Sequence, residues 1–181
     1  MEVITTKIAD VKIIQPKVFG DARGFFLETF EKRRYQQLLD IDLDFVQDNY
    51  SRSARNVLRG LHFQKTQPQG KLVRVVQGAA FDVAVDIRKG SPTFGQWVGV
   101  ELNADNRRQL WIPEGFAHGF VALEDDTHFL YKTTDTYSKE HERSIRWDDA
   151  DIGIDWPLNG MTPLLTQKDA QAPVLQHADT F

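Results

Sequence analysis

Apolar and polar residues alternate with period two over most of the chain, in short runs closed by Gly, Pro, Asn or Asp. Residues 71–76 and 80–87 alternate most plainly, with Gly78 between them. Successive strand side chains point to opposite faces, so this pattern predicts strands buried on one side. The same reading places strands at residues 11–19 (interrupted at Pro16), 24–30, 45–50, 57–64, 96–102, 110–113, 119–123, 127–133 and 144–147. Only residues 31–39 read as a clear helix, with Tyr35, Leu38 and Leu39 at helical spacing among charges. Thr166-Gln167-Lys168-Asp169 has the capping pattern that opens a short second one, in a tail that otherwise reads as loop. Many short strands at close spacing predict an all-β protein, an antiparallel sandwich or barrel with a few short helices. There is no internal repeat, and residues 1–181 read as a single domain.

Composition changes this picture little. At 41% hydrophobic and 27% charged residues the chain is ordinary for a soluble protein. The absence of cysteine excludes disulfides, thiolate metal sites and cysteine nucleophiles. A net charge of −4 argues against a nucleic-acid partner, yet leaves room for a small anion held by a few focused arginines and lysines. No signal peptide and no membrane-spanning run is read, so a cytoplasmic enzyme or binding protein is expected.

Two stretches carry residues that half-buried strands ordinarily avoid. Val57-Leu58-Arg59-Gly60-Leu61-His62-Phe63-Gln64 sets an arginine and a histidine among apolar residues. Strict alternation puts Arg59 and His62 on opposite faces, and a bulge at Gly60 would bring them onto one. A lone strand histidine is more often a hydrogen-bonded core residue than a reactive one. Pro113-Glu114-Gly115-Phe116-Ala117-His118-Gly119-Phe120 has the form P-x-G-x-x-H and looks like half of the cupin double-strand motif. In metal-binding cupins that histidine joins two histidines and a glutamate supplied by an earlier H-x-H motif. Here the earlier position reads His62-Phe63-Gln64, so the second histidine is missing and no metal site is expected.

These stretches, with Phe19-Gly20-Asp21-Ala22-Arg23-Gly24, Gln69-Gly70-Lys71-Leu72-Val73-Arg74, Phe81-Asp82-Val83-Ala84-Val85-Asp86-Ile87-Arg88, Ser91-Pro92-Thr93-Phe94-Gly95-Gln96-Trp97 and Lys168-Asp169-Ala170, run in order along nearly the whole chain. Together they resemble the dTDP-4-dehydrorhamnose 3,5-epimerase family. The resemblance implies a cupin-type jelly roll, a homodimer, and no metal or cofactor. It implies conversion of a dTDP-4-keto-6-deoxyhexose, dTDP-4-dehydro-6-deoxy-D-glucose, to dTDP-4-dehydro-L-rhamnose. That reaction serves dTDP-rhamnose biosynthesis and, through it, carbohydrates such as O-antigen lipopolysaccharide.

The C3 and C5 protons of such a sugar are both α to the C4 ketone. Inverting each centre needs a base on one face, an acid on the other and a group that stabilises the enolate. By resemblance His62 is the base, Asp169 orients and charges it, Lys71 stands against the ketone oxygen, and Tyr131 returns a proton from the opposite face. Arg23 and Arg59 would meet pyrophosphate or sugar, and Glu28, Gln47 and Asn49 would line the nucleotide pocket with Asp48 between them. Tyr137 would stack on thymine, and His118, Glu142 and Lys168 complete the set. Without the resemblance, Lys71 is a strand-edge lysine, Tyr131 a core aromatic, Asp169 a capping partner of Thr166 and Glu142 a solvated loop carboxylate. Ala22 departs from the family, where a charge is common, and the loop at residues 65–69 varies in length and touches none of these residues. The rival readings are a mono-epimerase or a 3,4-ketoisomerase on a related dTDP-ketosugar, a metal-dependent cupin enzyme and a non-catalytic sugar-binding jelly roll.

Overall fold

In the computed structural model, which describes residues 1–181, thirteen strands carry the chain. They are β1 (Glu2–Thr5), β2 (Lys12–Gln15), β3 (Val18–Asp21), β4 (Gly24–Leu27), β5 (Gln47–Ser53), β6 (Leu58–Gln64), β7 (Lys71–Gln77), β8 (Ala79–Asp86), β9 (Trp97–Asn103), β10 (Gln109–Ile112), β11 (Phe116–Ala122), β12 (Thr127–Thr133) and β13 (Glu142–Ser144). Helix α1 (Lys32–Leu39) lies between β4 and β5, and α2 (Gln167–Ala170) follows β13. One antiparallel sheet has the order β1-β2-β10-β7-β12-β5 and the other β13-β6-β11-β8-β9, while β3 and β4 form a separate two-stranded ribbon. The two large sheets make the sandwich that the alternation predicts, a jelly roll.

The facing sides of the sheets meet in one apolar layer. Val73, Val75, Leu110, Ile112 and Phe129 come from the six-stranded sheet, and Ala80, Ala84, Val98, Val100, Leu102, Phe116 and Phe120 from the five-stranded one. A sheet face left apolar must be covered, and each outer face is. Helix α1 buries Tyr35 and Leu39 against Ile14, Leu72 and Trp111. On the other side Leu58, Leu61, Phe63, Val83, Val85 and Ile87 lie beneath Ile145, Ile152, Trp156 and Leu175 from the C-terminal segment. The tail that reads as loop is therefore a cover for a sheet. At about 25 cal/mol per Å² of apolar surface, a long segment without regular structure is held firmly by such burial.

The differences from the sequence reading have local causes. Pro16 does more than interrupt residues 11–19, because β2 joins the large sheet and β3 pairs with β4 in the ribbon. Glu31 does not begin α1 but caps it, its carboxylate accepting from the backbone N–H groups of Arg33 and Arg34. Edge strand β1 escapes a periodicity argument because it is four residues long. Strand β5 runs to Ser53 rather than stopping at Tyr50, and the pair expected at 119–123 and 144–147 lies at Phe116–Ala122 and Glu142–Ser144. The short helix at residues 167–170 forms as its capping pattern predicts, with Asp169 N–H donating to Thr166 Oγ1 at 3.2 Å.

Candidate active site

Strand β6 breaks its own alternation. Leu58, Leu61 and Phe63 all enter the outer apolar layer, although 58 and 61 are three apart. Arg59 and His62, also three apart, both line a cavity on the inner side. The ladder to β11 shows the extra residue: His118 pairs with His62 and Phe120 with Arg59, two positions on one strand against three on the other. This is the bulge expected at Gly60. Gly60 has φ of +127°, and a Cβ on it would stand 2.6 Å from Gly119 Cα and 2.8 Å from His118 O. Only glycine meets both demands.

The cavity, of about 540 Å³, opens between the two sheets. The five-stranded sheet supplies Arg59, His62 and Gln64 from β6, His118 and Phe120 from β11, and Glu142 from β13, while the six-stranded sheet supplies Gln47, Asn49 and Ser51 from β5, Lys71 from β7, and Phe129 and Tyr131 from β12. Thr166, Lys168 and Asp169 close one side from the start of α2. Alternation accounts for the choices along β12, where Phe129 and Tyr131 face inward beside Val73 and Val75 of β7.

His62 Nε2 lies 2.5 Å from Asp169 Oδ1. Asp169 is only 2% exposed. Burial pushes its carboxyl up, but the bonds from His62 and Thr166 and the Lys168 charge outweigh that and hold it below the usual range. An ionised carboxylate can only accept, so Nε2 carries the hydrogen and Nδ1 is left as the basic nitrogen. Asp169 thus serves both as partner of the histidine and as part of the Thr166 cap. His118 repeats the arrangement, its Nε2 lying 3.0 and 3.1 Å from the two oxygens of Asp82. Burial pushes the His118 imidazolium down further than Asp82 pulls it back, so the ring is neutral at pH 7.

Lys71 is 8% exposed, and its Nζ donates across the gap to the carbonyl of His62 at 3.5 Å. Burial lowers its pKa to about 8 against the upward pull of Asp82 and Glu142. Tyr131 is pushed the other way, chiefly by burial and against the nearby Arg59 charge, so its phenol stays protonated. The cavity therefore holds a basic imidazole nitrogen on one sheet, a protonated phenol on the facing sheet, and a desolvated ammonium reaching across. That set can take a proton from one side of a small molecule, return one to the other, and hold negative charge that develops in between.

Toward the mouth, Glu142 Oε1 meets Lys168 Nζ at 2.7 Å and Tyr137 donates its hydroxyl to Glu142 Oε2 at 3.1 Å, so Glu142 is not a free loop carboxylate. Gln47 and Asn49 face the cavity because they sit at alternate positions of β5, and the same alternation turns Asp48 outward, where it pairs with Lys132 at 2.8 Å. Arg23 and Glu28 do not reach the cavity either. Arg23 is exposed on the β3–β4 ribbon and bonded to Asp21, and Glu28 pairs with Arg34 at 2.8 Å. The loop at residues 65–69 is less remote than its sequence suggests: Gln69 lines the cavity, and Gln67 O accepts from Gln64 Nε2 at 2.8 Å. Asp82 is the other residue that sequence reasoning passes over. Its signal lies in the alternation of residues 80–87, whose acidic side reads as solvent-facing and in fact points inward beside Ala80 and Ala84.

Comparison with known proteins gives one consistent result. The family model described as dTDP-4-dehydrorhamnose 3,5-epimerase matches residues 5–177. The dTDP-4-dehydrorhamnose 3,5-epimerase of Salmonella typhimurium is 59% identical over 179 residues, covering 98% of this chain and 97% of that one. Its counterpart in Pseudomonas aeruginosa is 56% identical over 181 residues, covering 100% and 99%. Among solved structures, the dTDP-6-deoxy-D-glucose-3,5-epimerase of Legionella pneumophila, in complex with dTDP-4-keto-L-rhamnose, superposes with a TM-score of 0.95 at 57% identity, covering 97% of this chain and 93% of that one.

Proposed function

The chain belongs to the dTDP-4-dehydrorhamnose 3,5-epimerase family, and we propose that its inter-sheet cavity inverts C3 and C5 of dTDP-4-dehydro-6-deoxy-D-glucose to give dTDP-4-dehydro-L-rhamnose. One observation carries the assignment of roles: His62 and Tyr131 enter one cavity from facing sheets. A ketosugar lying between them presents opposite faces to a base and an acid, which is what inversion requires. His62 Nδ1 takes the proton α to the ketone, Asp169 fixes the tautomer and steadies the imidazolium that forms, and Lys71 holds the enolate oxygen. Tyr131 returns a proton to the other face. The neutral His118, its Nε2–H spent on Asp82, keeps Nδ1 as an acceptor for a sugar hydroxyl. Arg59 and Lys168 supply positive charge for the pyrophosphate, and Tyr137 a ring for thymine.

A homodimer completes this reading. The β3–β4 ribbon pairs with neither large sheet, and its Phe19, Phe25 and Phe26 are 53%, 59% and 70% exposed. Such an apolar ribbon fits a second copy of the chain. Carried on or beside it, Arg23 and Glu28 would then belong to the neighbour's cavity.

Incubating the enzyme with the ketosugar in D2O, followed by NMR, tests the proposal. Deuterium is expected at both C3 and C5 together with net inversion; labelling at one carbon only would reduce the activity to that of a single epimerase. Tyr131→Phe separates the two half-reactions. His62 can still remove a proton and return a deuteron to the same face, so exchange should persist while net inversion falls by about 10²-fold or more. A parallel fall in both would remove Tyr131 from the acid's role.

A further inference from the structure

Gln64 stands where the cupin pattern has its second histidine, and none of the chemistry above uses it. Only 3% exposed, it has every polar function engaged. Its Nε2 donates to Gln67 O at 2.8 Å and to Thr136 O at 3.2 Å, and its Oε1 accepts the N–H of Ser138 at 2.6 Å. A primary amide is the side chain that offers two donors and an acceptor in this arrangement. A carboxylate would meet two carbonyl oxygens, and an imidazole lacks the second donor on one nitrogen.

These bonds tie β6 to the segment that follows β12. Residues 136 and 138, on either side of Tyr137, are both fixed by Gln64. Tyr137's own N–H donates to Gln47 Oε1 at 2.9 Å, and Gln47 in turn donates to Asn49 Oδ1 at 2.9 Å. The backbone at 136–138 thus hangs from two glutamines, one in each sheet. The Tyr137 ring itself is half exposed and makes one hydrogen bond, to Glu142. Backbone anchoring, rather than side-chain packing, sets where that ring stands.

We propose that Gln64 is a positioning residue for nucleotide binding, which presets the 136–138 segment so that the Tyr137 ring is in place before the thymine arrives. The inference rests on the reading of Tyr137 as the residue that stacks on the base. A loop left free would have to be ordered by the ligand, and the cost would appear as lost affinity. The cavity's chemistry lies elsewhere, so the effect falls on binding and not on turnover.

A double-mutant cycle tests this, with dTDP as the probe in isothermal titration calorimetry and the ketosugar in steady-state kinetics. Gln64→Leu is expected to raise Kd for dTDP, and KM, about 10- to 100-fold, with kcat changed less than about threefold. In a Tyr137→Ala background the same change should cost less than about threefold, because the ring it positions is gone. Should Gln64→Leu fail to fold, Gln64→Met, of matching length, is carried through the same cycle. Costs that simply add in the double variant, or a fall in kcat with KM unchanged, would overturn the proposal. If Tyr137→Ala weakens dTDP binding and the Gln64 variant does not, the Gln64 inference alone falls. If Tyr137→Ala leaves Kd unchanged, the stacking assignment fails and takes this inference with it.

Discussion

Replacing His62 with glutamine is expected to abolish deuterium exchange at both C3 and C5, by about 10³-fold or more, while the affinity for dTDP stays close to that of the parent. The argument is one of atoms. His62 Nδ1 is the basic nitrogen on its wall of the cavity, because Nε2 is committed to Asp169 at 2.5 Å. Glutamine keeps an N–H at about the reach of Nε2 that can still donate to that carboxylate, so a buried charge is not stranded and the fold is spared. It has no nitrogen that accepts a proton. A single base serving both carbons means that both exchange rates fall together. Retention of exchange at one carbon would show that a second base operates there, and the assignment would have to be divided. NMR of the ketosugar in D2O reads both positions in one experiment.

Lys71→Met is expected to lower kcat by about 10²- to 10³-fold, the range for removing one preorganised donor from a developing oxyanion. The same substitution should leave the thermal midpoint unchanged or raise it. Burial drives the Lys71 pKa from 10.5 down to about 8, so folding disfavours the protonated form. In the window between those two values the unfolded chain binds more protons than the folded one, and the part of stability set by this residue rises with pH. Catalysis runs the other way, because the enolate needs the charge that only the protonated form carries. Activity should therefore decline as pH rises through about 8, as a limb of the kcat profile that Lys71→Met lacks. Thermal unfolding and a pH–rate series measure the two trends on the same samples. A pH-independent kcat across this window would mean that the ammonium does not face the reacting oxygen.

Most of the strands were legible because a half-buried strand writes its burial into alternate residues, as at 71–76 and 127–133. The bulge was legible only as a question. Arg59 and His62 at a spacing of three demanded a break in register, and the sequence marked one glycine between them, but the neighbour that makes it necessary, Gly119 on β11, lies far along the chain. Asp82 shows the limit of pattern reading. An acidic residue on one side of an alternating strand reads as solvent-facing, and here the apolar side faces outward because the C-terminal segment covers it. Gln64 was visible as the absence of a histidine, and its hydrogen bonds could not be seen from residue types alone. Asp48 illustrates the reverse case: it shares a tripeptide with two cavity residues, and the pleat turns it away from them.

The extra residue in β6 also bears on what chain-length changes can do. The strand is in effect read in two frames, one on each side of Gly60. A substitution elsewhere in the strand can be absorbed by repacking, but straightening the strand with all its residues retained would merge the frames. With Leu58 held in place, the imidazole of His62 would enter the layer beneath Trp156, and Leu61 and Phe63 would fill the cavity in its stead. A related chain that is one residue shorter at this point therefore needs no bulge: its arginine and histidine stand two apart, and alternation alone keeps both inside.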